Sequence, residues 1–168
     1  MTTRAGQFRL ELAIVAVIVA LDQAAKAVVR ARLELHESVE VVAGFFSFTR
    51  VHNYGAAFGL MNTTDFPFRT VVLSAVAALA LAGLAWYGAT LPAGQRLARA
   101  GLTLIVGGAA GNLIDRIGSG YVVDFVDLYW RGWHFWAFNV ADSAITVGVS
   151  LMILDLLQIG RDRVSRTI

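Results

Sequence analysis

The sequence predicts an all-α membrane protein of four transmembrane helices with a small β-rich surface segment. Three observations lead there. Of the 168 residues, 57% are apolar and only 15% charged, whereas roughly a quarter are charged in soluble domains. Mean hydropathy is +0.64. Four apolar stretches approach the roughly 20 residues that cross a bilayer, and the length leaves room for little beyond their connections. Residues 1–168 are therefore expected to form a single integral membrane domain.

The first span, residues 12–29, is apolar apart from Asp22, Gln23 and Lys26. Arg4 and Arg9 precede it, and Ala25-Lys26-Ala27 has the small-x-small form of a signal-peptide cleavage site. The apolar stretch resumes past Lys26, which favours a retained helix. The second span, residues 68–87, is apolar after Arg69, and the third, residues 97–114, is small and apolar after Arg99. Gly107 and Gly111 in the third form a small-xxx-small pair that lets a neighbouring helix approach closely. The fourth, residues 136–157, is interrupted by Asn139, Asp142 and Asp155.

In the connection 30–67, the segment 39–51 is rich in β-branched and aromatic residues with Gly44 as a turn, which predicts a small strand or hairpin at the membrane surface. The connection 115–135 carries Tyr129, Trp130 and Trp133, and Trp136 follows. These are residue types that settle at headgroup level. With four spans both termini share one side, together with Arg4, Arg9, Arg96, Arg99, Arg161, Arg163 and Arg166. The excess of arginine in short segments predicts that this side is cytoplasmic.

Several chemistries drop out. There is no cysteine, so disulfides, thiolate nucleophiles and thiolate metal ligands are excluded. His36, His52 and His134 are dispersed without metal-binding spacing, and no nucleophile elbow or phosphate-binding glycine loop occurs. No metal or cofactor is expected. The formal charge of +2 and pI near 9.4 do not indicate nucleic acid, because the basic residues are scattered around apolar spans.

An ionised side chain at the bilayer centre costs roughly 2.5–3.5 kcal/mol on insertion scales, so polar residues inside spans call for a role. Asp22 and Lys26 are four apart on one helical face, where opposite charges pair. Asn112, Asp115 and Arg116 share a face at spacings of three and four, which predicts a network around Arg116. Asp124 and Asp142 differ, since neither has a basic residue at helical pair spacing. Asp142 lies six residues inside Trp136, about 9 Å at 1.5 Å per residue, just below the interface. Two carboxyls brought together there cannot both ionise cheaply, so one keeps a proton. That pair supplies the base and acid that peptide hydrolysis requires.

The chain resembles the lipoprotein signal peptidase (signal peptidase II) family of bacterial membrane aspartic proteases along nearly its whole length. The resemblance rests on Asp22-Gln23 with Lys26; Asn53-Tyr54-Gly55-Ala56-Ala57-Phe58; Gly111-Asn112-Leu113-Ile114-Asp115-Arg116; Val122-Val123-Asp124-Phe125; and Phe138-Asn139-Val140-Ala141-Asp142-Ser143. It implies a multi-pass enzyme of the bacterial inner membrane, with its site near the periplasmic face. Its substrate would be a prolipoprotein modified with diacylglycerol on the future N-terminal cysteine, embedded among membrane lipids and cut on the N-terminal side of that cysteine. Asp124 and Asp142 correspond to the catalytic pair. Asn53, Asn112, Arg116 and Asn139 correspond to binding or orienting positions, and Asp22, Lys26 and Asp115 to supporting ones.

Two other classes compete. A small proton-coupled transporter or channel subunit would spread its acids across the membrane, yet only Glu11 and Asp155 lie towards the cytoplasmic side. A structural subunit would use its polar groups only for helix association. Four spans can satisfy one another, so a monomer is expected.

Overall fold

The computed structural model describes residues 4–55 and 68–165. Four helices in it are long and apolar enough to cross a membrane. They are α1 (Arg4–Arg32), α2 (Arg69–Thr90), α3 (Arg96–Ser119) and α4 (Val140–Ser165); the strands are β1 (Ser38–Val42), β2 (Phe46–Asn53), β3 (Val122–Trp130) and β4 (Trp133–His134). Each predicted span falls within or largely on one of these helices. Of the motif that begins at Asn53, Ala56, Ala57 and Phe58 lie outside the described residues, as does Arg166.

The bundle is organised around α3, which packs against α1, α2 and α4, while α2 packs principally on α3. No residue of α2 is buried within the protein, and Leu79, Trp86 and Val71 stand exposed. A helix apolar on every side is stable where the solvent is hydrocarbon. Small residues set the close contacts of α3. A Cβ on Gly101 would lie 2.6 Å from the Gly148 carbonyl oxygen of α4, one on Gly107 would lie 2.9 Å from the Ile18 side chain of α1, and one on Gly111 would lie 2.8 Å from the Asp22 carboxylate of α1. The small-xxx-small pair thus serves packing, and Gly111 also admits a buried charge.

The strands form one antiparallel sheet in the order β1-β2-β3-β4. The predicted hairpin is present: Gly44, at φ +71°, lies in the turn between β1 and β2. The long strand β3 is a departure from the expected all-α class. It pairs with β2 so that Val51, His52 and Asn53 face Asp124, Val123 and Val122. Val122, Val123, Asp124 and Phe125 are all buried, so both faces of the strand are covered and no polar alternation marks it in the sequence. Val123 and Phe125 pack with Val29 of α1, tying the sheet to the bundle.

Two helix ends differ from expectation. α3 runs on to Ser119 and stops where Gly120, at φ +80°, donates its N–H to the Arg116 carbonyl at 3.1 Å. α4 starts at Val140, not at Trp136, because Phe138 is bridged to Val126 of β3 and Asn139 caps the helix.

Candidate active site

Asn139 and Asp142 form a reciprocal cap at the start of α4. The Asn139 Oδ1 accepts the Asp142 N–H at 2.9 Å, and the Asp142 Oδ2 accepts the Asn139 N–H at 3.2 Å. This is a capping box with aspartate at its third helical position. It turns the Asn139 Nδ2 away from the helix, where it donates to Asp124 Oδ1 of β3 at 2.7 Å. One asparagine therefore holds both carboxyls of the predicted pair.

Two more asparagines repeat the arrangement. Asn112 of α3 accepts from the Lys26 Nζ at 3.0 Å through Oδ1 and donates to Asp142 Oδ1 at 2.8 Å through Nδ2. Asn53 of β2 accepts the Gly55 N–H at 2.9 Å and donates to Asp124 Oδ2 at 3.0 Å. In all three cases a group that can only donate occupies the amide oxygen, which forces the NH2 onto a carboxyl. Residues from β2, β3, α3 and the start of α4 thus converge on two acids that are 71, 30 and 15 positions from their asparagine partners.

Behind the pair lies a buried ion network. Lys26 has no exposed side-chain surface and saturates its ammonium with Asp22 at 2.7 Å, Asp115 at 2.9 Å and Asn112. Asp115 also takes Arg30 at 2.9 Å and the Val123 N–H at 3.3 Å, next to Asp124. Asp22 accepts the Ala141 N–H at 3.0 Å, so a carboxylate from α1 meets the N-terminal end of α4, where the helix dipole favours negative charge. Arg116 donates to the Gly55 carbonyl at 3.0 Å, and its charge faces Asp142, Asp124 and Asp115.

Burial, and after it the charge of Asp142, pushes the Asp124 carboxyl up to about 7, against the opposing donors Asn53 and Asn139. Among the described residues, three cations (Lys26, Arg30, Arg116) meet four carboxyls (Asp22, Asp115, Asp124, Asp142) in this cluster. A single proton on the Asp124–Asp142 pair brings the whole cluster to neutrality. Near neutral pH the pair then offers one carboxylate and one carboxylic acid.

Every site residue predicted from the sequence falls in this cluster. The Asp22–Lys26 pair is present, but the network expected around Arg116 is centred elsewhere: Asp115 pairs with Lys26 and Arg30, and Arg116 turns to the segment after β2. Sequence reasoning missed Arg30 and gave Gln23 no role. Gln23 donates to Asp22, to the Gly111 carbonyl and to Asp115 at 3.1–3.3 Å. Arg30 could have been found, since Asp22, Lys26 and Arg30 repeat every four residues on one face of α1.

An acid pair braced by amide donors, at one end of a bundle of four helices apolar enough to cross a membrane, is the equipment of an aspartic hydrolase. The comparisons agree with that class. The family model for signal peptidase (SPase) II matches residues 14–158. The lipoprotein signal peptidase of Symbiobacterium thermophilum is 48% identical over 150 residues, covering 89% of this chain and 94% of that protein. That of Geobacter metallireducens is 46% identical over 151 residues, covering 90% and 92%. A bacterial membrane enzyme solved by the in meso method superposes with a TM-score of 0.79 at 30% identity, covering 89% of this chain and 88% of that one. The chain belongs to the signal peptidase II family, the membrane aspartic proteases that process lipoproteins. The transporter alternative finds no support: Glu11 is closed by Arg99 at 2.7 Å, away from the acid pair.

Proposed function

We propose that the protein removes the signal peptide from prolipoproteins whose future N-terminal cysteine already carries diacylglycerol, cutting on its N-terminal side, with Asp124 and Asp142 as the catalytic dyad. The observation that carries this reading is the double hold of Asn139, which donates to Asp124 through its amide and to Asp142 through its backbone. The anionic aspartate takes a proton from water as the water oxygen bonds to the scissile carbonyl carbon. The protonated one donates to the developing oxyanion. On collapse the C–N bond breaks: a hydroxyl of the tetrahedral intermediate returns a proton to the donor aspartate, and the acceptor aspartate passes the proton taken from water to the leaving nitrogen, which restores the dyad. The dyad and water suffice for this route, without a cofactor.

In this reading Asn53, Asn112 and Asn139 fix the two carboxyls, and Arg116, bonded to Gly55, orients the bound peptide. Asp22, Lys26 and Asp115 support the site. The arginine-rich ends lie in the cytoplasm, the sheet and dyad on the periplasmic side of the inner membrane, and the chain works as a single-domain monomer among lipids. A substrate anchored by two acyl chains then presents its scissile bond at the depth of the dyad.

The test is cleavage of a diacylglyceryl-modified precursor peptide by the purified protein in detergent, beside the unmodified peptide. Cleavage of the modified peptide alone is expected, with loss of activity in Asp124→Asn and in Asp142→Asn. Near wild-type cleavage by either folded variant overturns the dyad.

A further inference from the structure

We propose that Lys26 is a positioning residue: by holding the Asn112 amide oxygen it turns the amide NH2 onto Asp142, making Asp142 the proton acceptor of the dyad and Asp124 the proton donor. This inference rests on the aspartic peptidase reading above.

The orientation follows from donor chemistry. An ammonium has three N–H donors and no acceptor, and Lys26 directs them to Asp22, Asp115 and Asn112 Oδ1. A flipped Asn112 would set its NH2 against the ammonium and its oxygen against Asp142. The Asn139 Nδ2, 3.2 Å from the same Asn112 oxygen, reinforces the observed orientation. Lys26 thus reaches Asp142 through one rigid amide, over a relay of 3.0 Å and 2.8 Å.

The two carboxyls are not equivalent in this frame. Asp142 receives Asn112 on one oxygen and the Asn139 backbone N–H on the other, within the first turn of α4. A helix N-terminus favours an anion there. Asp124 sits in the middle of the sheet, 3% exposed, and among the described residues its donors are the side-chain amides of Asn53 and Asn139. Charged groups facing Asp142 are Lys26 and Asp22 from α1, Arg116 from α3 and Asp124 from β3. Those facing Asp124 are Asp142, Lys26 and Arg116. Lys26 acts on both through space; its hydrogen-bonded route to Asp142 runs through Asn112 alone, whereas the route to Asp124 needs a second amide, that of Asn139. The position of Asp124 near 7 agrees with its holding the proton at neutral pH.

The experiment is the pH dependence of kcat/KM on a diacylglyceryl-modified peptide. The rate rises as the acceptor loses its proton and falls as the donor loses its own. In Asn112→Ala the acid limb is expected to move up by roughly one pH unit, with the alkaline limb in place. Asn53→Ala is expected to move the alkaline limb instead. Lys26→Met should raise the acid limb more than the alkaline limb, which feels only the lost charge, and its effect on the acid limb should be less than additive with that of Asn112→Ala, since both break one relay. Where Lys26→Met fails to assemble, Asp22→Asn combined with Lys26→Met removes one charge of each sign and takes its place. Movement of the alkaline limb, or of both limbs, in Asn112→Ala overturns the division of roles. Full additivity of the Lys26 and Asn112 effects overturns the relay. Near wild-type cleavage by Asp142→Asn would instead strike the underlying peptidase reading.

Discussion

At the end of the bundle near the chain's N-terminus, Glu11 of α1 meets Arg99 of α3 in a single fork, with contacts of 2.8 Å and 2.7 Å. The third guanidinium nitrogen of Arg99, Nη1, donates to the Leu91 carbonyl at 2.9 Å. At the other end, Asp22, Lys26, Arg30, Asp115, Arg116, Asp124 and Asp142 share partners across three helices and a strand. The first arrangement is closed: one cation balances one anion, and the pair joins α1 to α3. The second is open by one charge, with more carboxyls than cations. In the proposed function its spare proton resides on the Asp124–Asp142 pair. A buried ion pair without surplus holds helices together, whereas a buried cluster with a surplus carboxyl can exchange a proton with a substrate.

Substitutions at the two ends should separate these roles, the largest effect coming first. Asp124→Asn and Asp142→Asn each should lower kcat/KM by roughly 10²–10⁴-fold, the scale of lost acid–base catalysis, with the fold intact by thermal melting. Glu11→Gln should leave kcat/KM within about twofold of wild type. Activity lost equally at both ends would break the comparison.

Lys26→Met strands Asp22 and Asp115 without their shared cation, and should destabilise the protein by about 3–5 kcal/mol in detergent unfolding. Glu11→Gln should cost about 1 kcal/mol, since Arg99 keeps the Leu91 carbonyl and gains an amide oxygen. Gly111→Ala places a methyl against the Asp22 carboxylate and should cost about 1–3 kcal/mol. On the lipid-facing helix α2, Gly83→Ala meets nothing within 4 Å and should raise stability by up to about 1 kcal/mol.

The dyad end should also respond to pH. Folding lifts Asp124 from 3.8 to about 7, so between those values the folded protein holds a proton that the unfolded chain has released. The associated stability is complete below the lower value and is lost as pH rises through the upper one. Melting temperatures should fall across that range in the wild type and flatten in Asp124→Asn. An unchanged slope in the variant would show that another group carries the effect.

The four spans were legible because a bilayer crossing needs about 20 apolar residues whatever they pack against. The β1–β2 hairpin was legible from its β-branched run and its glycine. β3 was not read as a strand, because its start is buried on both faces and shows no alternation. The start of α4 was misplaced because a hydropathic stretch extends to Trp136, whereas the helix begins where Asn139 and Asp142 cap each other. The misassignment around Arg116 has a related cause. Helical spacing set Asp115 beside it, but Lys26 and Arg30 approach from another helix and take the carboxylate.

Residue identity alone determined that this chain lives in a membrane, that its spans carry ionisable groups too costly to be idle, and that Asp124 and Asp142 lack a basic residue at helical pair spacing. Those conclusions depend on transfer energies and on spacing within one helix. Only the tertiary structure decided which amide serves which carboxyl. Asn53, Asn112 and Asn139 can each donate or accept, and they are directed onto the dyad by N–H donors from Gly55, Lys26 and Asp142. A hydrogen-bond direction is set by the partner on the far side of the amide, and for Asn112 that partner, Lys26, lies 86 residues away.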